Sequence, residues 1–189
     1  LDIATSALHK LGGPAAQPST LMFAKFSPAS DRVAYVRAGD LYVEPVAGGA
    51  PIRLTRDASR TIVNGTTDWV YEEEFGLRDA FRWSPDGRAI AYLQFNMAGV
   101  RDYLLINDTD SLYSFVTPIQ YPKAGQTNSA VRVGIVNATG GPTTWVALAG
   151  DARQMYVPEF EWSGSSDVFI QHMNLHQNRD EVLRANART

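Results

Sequence analysis

Along the chain, apolar positions change their spacing once, near residue 20. From Leu1 to Thr20 the residues are mixed, and Gly12, Gly13, Pro14 and Pro18 crowd together, which predicts a short amphipathic start followed by a linker. From Leu21 onward, short runs rich in Val, Ile, Tyr, Phe and Trp alternate with clusters of Gly, Pro, Asn, Asp and Ser, the texture of β-structure. Strands are predicted at Leu21–Phe26, Arg32–Arg37, Leu41–Val46, Ala89–Phe95, Tyr103–Asn107, Val131–Val136, Thr144–Leu148, Phe160–Trp162, Val168–His172 and Val182–Asn186. In the middle of the chain only the segment from Trp69 to Leu77 reads as helix. The fold class is therefore all-β.

A strand, tight turn, strand unit recurs. Lys25-Phe26-Ser27-Pro28 leads into Arg32–Arg37, Arg82-Trp83-Ser84-Pro85-Asp86-Gly87 into Arg88–Phe95, and Glu161-Trp162-Ser163-Gly164 into Asp167–His172. Pro fixes φ, Gly accepts a positive φ, and the aromatic before the turn is placed to pack against the next sheet. Repeats of this kind build the four-stranded antiparallel blades of a β-propeller. Phe26 and Trp83 lie 57 residues apart and Trp83 and Trp162 lie 79 apart, whereas a plain blade takes roughly 40–50 residues. At least one blade therefore carries an insertion, and the obvious one lies between Arg60 and Arg82.

That insertion holds the string Asp68-Trp69-Val70-Tyr71-Glu72-Glu73-Glu74-Phe75-Gly76-Leu77. Asp68 is placed to cap a helix by accepting from first-turn N–H groups. Helical spacing then puts Val70, Glu73, Glu74 and Leu77 on one face, with Tyr71 and Phe75 as an aromatic edge. Two carboxylates projecting side by side repel unless a cation joins them, and an ammonium group has the donors to serve both. A run of three Glu is ordinarily a solvated helix face. Here Trp69, Val70, Tyr71 and Phe75 flank it, which predicts a buried acidic pair anchored tightly in apolar surroundings.

Composition narrows the function classes. The 189 residues are 44% hydrophobic and 20% charged, enough to form a core, and the net charge of -3 offers no basic stripe for nucleic acid. No run of 18 apolar residues is present to cross a bilayer as a helix, and with no Cys there is neither a disulfide nor a thiolate nucleophile. The chain begins at Leu1, as expected of a processed or excised segment. His172 and His176 have a metal-compatible spacing but no third ligand of the usual kind, so no metal and no cofactor are expected. Arg101, Asp102 and Tyr103 could line a cavity or pair with a neighbouring blade, Lys123 sits in a turn and reads as structural, and the sequons at Asn64, Asn107 and Asn137 carry no inference.

The string from Asn64 through Phe75, followed by Trp83-Ser84-Pro85-Asp86-Gly87 and Ala91-Tyr92-Leu93-Gln94-Phe95-Asn96, closely resembles the dipeptidyl peptidase IV family of serine exopeptidases. Tyr121-Pro122-Lys123-Ala124-Gly125 with Asn128, and Asp40-Leu41-Tyr42-Val43, resemble two further elements of that family, and the similarity runs in order from Phe23 to Asn178. The resemblance implies a partial β-propeller over residues 21–189, with several blades of what would be an eight-bladed domain, and a short inserted helix carrying the Glu pair. It also implies that Glu73 and Glu74 bind the amino terminus of a peptide substrate. An α/β-hydrolase domain of the same protein, a homodimer of the full-length protein, and a periplasmic or secreted location, with a cytoplasmic one as the alternative, follow from the same likeness.

No G-x-S-x-G is present, so the nucleophile elbow of such a hydrolase lies outside this chain and no residue of it is expected to be catalytic. The opening blades, which in the family supply an Arg to the substrate carbonyl, are also expected to lie outside it. The competing readings are a non-catalytic propeller scaffold, whose repeats are similar, and an inactive peptidase homologue that retains the fold.

Overall fold

Each repeat closes through its own polar turn. In the computed structural model, which describes residues 1, 3–14, 16–17 and 19–187, Ser84 Oγ donates to Asp86 at 2.7 Å and accepts from the Ala89 N–H at 2.9 Å, while Gly87 takes a φ of +69°. In the first repeat, where the Asp-Gly pair is missing, Asp31 accepts from Ser27 Oγ at 2.7 Å and Ser30 adopts the positive φ. The turn is thus preserved by different residues.

The first blade is the sheet β1 (Leu21–Phe26), β2 (Arg32–Arg37), β3 (Asp40–Pro45) and β4 (Ile52–Arg53), paired in that order. The second begins with β5 (Ile62–Asn64), leaves for the helix α1 (Trp69–Glu74), and resumes with β6 (Phe81–Trp83) and β7 (Ala89–Asn96). β5 and β6 pair along the same edge of β7, opposite Gln94–Asn96 and Ile90–Tyr92 respectively. They are one inner strand broken opposite Leu93, whose carbonyl accepts from Gly65 N–H and whose N–H donates to Ala80, each at 2.9 Å. After β7 the chain forms a separate hairpin, β8 (Asp102–Asn107) with β9 (Phe115–Gln120), then returns as β10 (Ala130–Asn137) and β11 (Thr144–Trp145). The third blade consists of β12 (Met155–Tyr156), β13 (Phe160–Ser163), β14 (Asp167–Asn174) and β15 (Asp180–Asn186), with β12 and β13 again sharing the inner edge of β14.

The aromatic of each repeat stitches its blade to the one before. Trp83 Nε1 donates to the Lys25 carbonyl at 3.2 Å, and Trp162 Nε1 to the Arg82 carbonyl at 3.0 Å. Phe26 has no preceding blade in this chain and is 63% exposed, against 8% for Trp162. Between the first two blades pack Val36, Leu41, Phe81, Ile90 and Tyr92; between the second and third pack Leu93, Phe95, Val133, Val157, Phe160 and Ile170. Apolar burial of this kind, about 25 cal/mol per Å², makes the blade interfaces the main source of cohesion.

Three differences from the sequence reading have physical causes. Residues 103–107 form a strand, but in an arm outside the blades. Four short strands, β4, β5, β6 and β12, carry too few alternating residues to be recognised from pattern, and β9, six residues long, has its apolar run interrupted by Pro118. The helix spans Trp69–Glu74 rather than reaching Leu77, because Phe75 caps it and Gly76 turns the chain at φ +63°. Among the described residues of 1–20, the Gly12 N–H donates to Glu44 at 2.9 Å and Leu11 packs on the first blade's outer face.

Candidate functional site

The insertion leaves and re-enters the inner strand through a narrow neck. Gly65 and Ala80 hydrogen-bond each other as well as Leu93, and Thr66 bridges Asp79. Gly65 has φ +73°, and a Cβ there would stand 2.5 Å from Leu41 Cδ2, so only glycine fits. Above the neck, Asp68 caps α1 as the sequence predicts, with Oδ1 accepting from the Tyr71 N–H at 3.1 Å. Its other oxygen accepts from Ser129 Oγ at 2.6 Å. Burial raises the Asp68 pKa above the usual carboxylate value, and the Ser129 hydroxyl and backbone donors oppose that rise.

The aromatic flanks anchor the helix, as the sequence reading requires. Tyr71 is buried, its ring 4.6 Å from Phe95 and 5.2 Å from Phe75, and its hydroxyl accepts from the Val157 N–H at 2.8 Å. Burial pushes the Tyr71 phenol well above its ordinary pKa. Phe75 continues onto Tyr156 at 5.1 Å, and Trp69 lies on Tyr121 at 4.1 Å. Tyr121 belongs to the Tyr-Pro-Lys-Ala-Gly element, and its companion Asn128 meets the Tyr156 hydroxyl. That element therefore braces the helix. Ser129, Tyr156 and Val157 were not legible as parts of the site, because each reaches it from a distant strand or through a backbone atom.

The carboxylates themselves correct one expectation. Glu73 and Glu74 are exposed, not buried, and they do not share a face with Val70 and Leu77, both of which turn into the core. A helix of six residues buries only the side carrying Val70 and Tyr71, and Leu77 returns to the core beyond its end. Among the described residues neither Glu73 nor Glu74 has a hydrogen bond or an ion pair, whereas Glu72 pairs with Arg78 at 3.2 Å. The charge of Glu74 acts on Tyr156, whose pKa is raised first by burial, then by Asp68, and also by Glu74. Two adjacent acids on a fixed support thus face outward with no cation beside them among the described residues.

Other residues singled out by sequence lie apart from the pair. Asp102 pairs with Arg60 and Lys123 stands 5.5 Å over the Tyr103 ring; with Arg101 they line a hollow of about 460 Å³ at the hairpin base. His172 faces Met155 Sδ at 3.1 Å and Glu181 at 3.6 Å. Asn64, read only as a sequon, is fully buried and joins Asp40, Asp57 and Gln94 at the interface of the first two blades. Among the described residues no helix is long and apolar enough to cross a membrane.

The profile described as the dipeptidyl peptidase IV (DPP IV) N-terminal region matches residues 1–189. The chain is 34% identical over 192 residues to dipeptidyl peptidase 4 of Trichophyton rubrum, covering 97% of this chain and 24% of that protein. It is 30% identical over 182 residues to inactive dipeptidyl peptidase 10 of Rattus norvegicus, covering 94% of this chain and 23% of that protein. Its fold superposes on the crystal structure of Porphyromonas gingivalis dipeptidyl peptidase 4 with a TM-score of 0.83 and 29% identity, over 89% of this chain and 24% of that one. The chain thus spans about a quarter of the length of the relatives it matches. With three successive blades, an interrupted inner strand and a family profile along its whole length, the chain belongs to the dipeptidyl peptidase IV N-terminal region family, as a partial β-propeller.

Proposed function

We propose that this chain is the substrate-recognition part of a serine-type dipeptidyl peptidase that removes Xaa-Pro or Xaa-Ala dipeptides, and that Glu73 and Glu74 bind the substrate's free α-amine. The observation that carries this reading is the contrast between the pair and its support: two exposed carboxylates with no partner among the described residues, on a helix held by buried hydrogen bonds. An –NH₃⁺ has three donors and can serve both acids. Fixing the amino terminus fixes the scissile bond two residues on, which supplies orientation to a nucleophile in a hydrolase domain outside this chain. The test is cleavage of an amino-terminal Xaa-Pro substrate by the full-length protein with Glu73→Gln and Glu74→Gln combined. The expected result is a fall of about 100-fold or more in kcat/KM; unchanged cleavage refutes the assignment.

A second reading has one specific support, the 30% identity to a protein named inactive dipeptidyl peptidase 10. In that case the acidic helix is a peptide-amine receptor without chemistry. Binding of a free-amine dipeptide without hydrolysis by the full-length protein would establish it. A scaffold propeller of another kind would bind neither.

The β8–β9 arm supports a second copy of the protein as partner. Tyr103, Leu104, Leu105, Ile106, Leu112, Tyr113, Phe115 and Val116 are all exposed on it, with apolar area on the order of 800–1,000 Å², comparable to one side of a standard interface. Its tip carries Asp108 and Asp110 and its base Arg101 and Lys123, none in an ion pair among the described residues. An isologous pairing of two arms, tip to base, matches these charges.

A further inference from the structure

A helix of six residues does not hold its own direction in water, since isolated helices shorter than about 12 residues are marginal. The direction of α1 must come from what it touches, and its ties go to two different blades. Its amino-terminal end is tied to the second blade by Asp68 and Ser129, 2.6 Å apart and both buried, with Ser129 standing immediately before β10. Its middle is tied to the third blade by the Tyr71 hydroxyl, which accepts from the Val157 N–H. Val157 lies in the break between β12 and β13, so a side chain of one blade's insertion supplies the acceptor for a gap in the next blade's inner strand. The Tyr71 ring meanwhile packs on Phe95 of the second blade. One side chain therefore spans the interface.

We propose that Tyr71 and the Asp68–Ser129 pair are positioning residues that key α1 to the interface of the second and third blades, so that affinity for an N-terminal ammonium depends on closure of that interface. This rests on the reading of Glu73 and Glu74 as an amine clamp. Both acids follow Tyr71 within one turn, so a small tilt about the Tyr71 tie swings them at the end of the lever. A displacement of about 1 Å in an orienting group can cost as much as 100-fold. Tyr71→Phe keeps the ring and removes only the acceptor, and Ser129→Ala removes only the donor to Asp68.

The experiment measures, on the full-length protein, the ratio of affinities for alanyl-proline and for its N-acetylated form, which lacks the ammonium. Tyr71→Phe and Ser129→Ala are expected to lower that ratio about 5- to 20-fold while affinity for the acetylated probe stays within twofold. Val168→Ala, which opens a cavity in the same core away from α1, is the control: it lowers Tm and leaves the ratio unchanged. If Tyr71 and Ser129 act only structurally, their variants track this control, and the proposal is overturned while collapse of the ratio in the Glu73→Gln, Glu74→Gln double variant upholds the clamp. If that double variant keeps the wild-type ratio, the clamp reading itself is lost and the positioning role with it. Should Tyr71→Phe not fold, Ser129→Ala decides alone: a ratio lowered about 5- to 20-fold upholds the proposal, and an unchanged ratio overturns it.

Discussion

The second blade is interrupted twice, and the two insertions have opposite characters. Residues 65–80 leave through a glycine neck and are drawn back onto the blades by Asp68, Trp69, Tyr71 and Phe75, each packed or bonded inside the chain. Residues 97–129 send β8 and β9 outward, where Ile106 is 70% exposed and Leu112 is 91% exposed. The first insertion satisfies its apolar and polar groups internally and leaves only charge outside. The second leaves its apolar surface outside, the feature on which the proposed pairing with a second copy rests. Positioning a small ligand requires a support fixed by the chain itself, whereas an arm that meets another molecule must keep its contacts free until that molecule arrives.

The largest effect that sharpens this contrast is on activity. Glu73→Gln with Glu74→Gln should reduce kcat/KM of the full-length protein by about 100-fold or more while Tm moves by less than about 2 °C, since exposed residues without partners contribute little to folding. A drop in Tm comparable to that of a core variant would make the pair structural instead. Next, Gly65→Ala should destabilise by about 2–4 kcal/mol, from the positive φ and the clash with Leu41; a wild-type denaturation midpoint would show that the neck is not rigid.

The arm should respond in the opposite way. Leu104→Ser with Ile106→Ser should leave monomer stability within about 0.5 kcal/mol yet convert dimer to monomer in sedimentation of the full-length protein. Unchanged mass would remove the second copy as its occupant. The smallest effect concerns Asp68. Because burial raises its pKa in the folded chain, the folded state binds the proton more tightly than the unfolded state, and stability falls as pH rises from the ordinary carboxylate range through the raised value. Asp68→Asn keeps an N-cap oxygen and removes that dependence. Its Tm relative to wild type should therefore rise as the pH is increased upward from the ordinary carboxylate range, and a pH-independent difference would contradict the sign.

Much of the architecture was legible before any coordinates. Leu21–Phe26 and Arg32–Arg37 form strands with the predicted bounds, and the repeats at Phe26, Trp83 and Trp162 mark successive blades. The insertion before Arg82 and the Asp68 cap were legible for the same reason: turn residues, β-branched runs and caps act over a few neighbours. Strands of two or three residues such as β4 and β12 were not, because they are strands only by pairing with a longer neighbour. The arm was hidden since Tyr103–Asn107 has the same pattern whether it lies in a blade or outside one.

At the site, the residue types of the sequence already determined that two adjacent acids would sit beside aromatic anchors and after a capping Asp. Only the tertiary structure decided that the acids are exposed, that Tyr71 reaches 86 residues along the chain to Val157, and that Ser129 completes the cap from 61 residues away. Local chemistry fixes what each side chain can do within a turn or a strand. Which distant backbone or hydroxyl it meets is set by blade packing, a property of the whole chain that no local window contains.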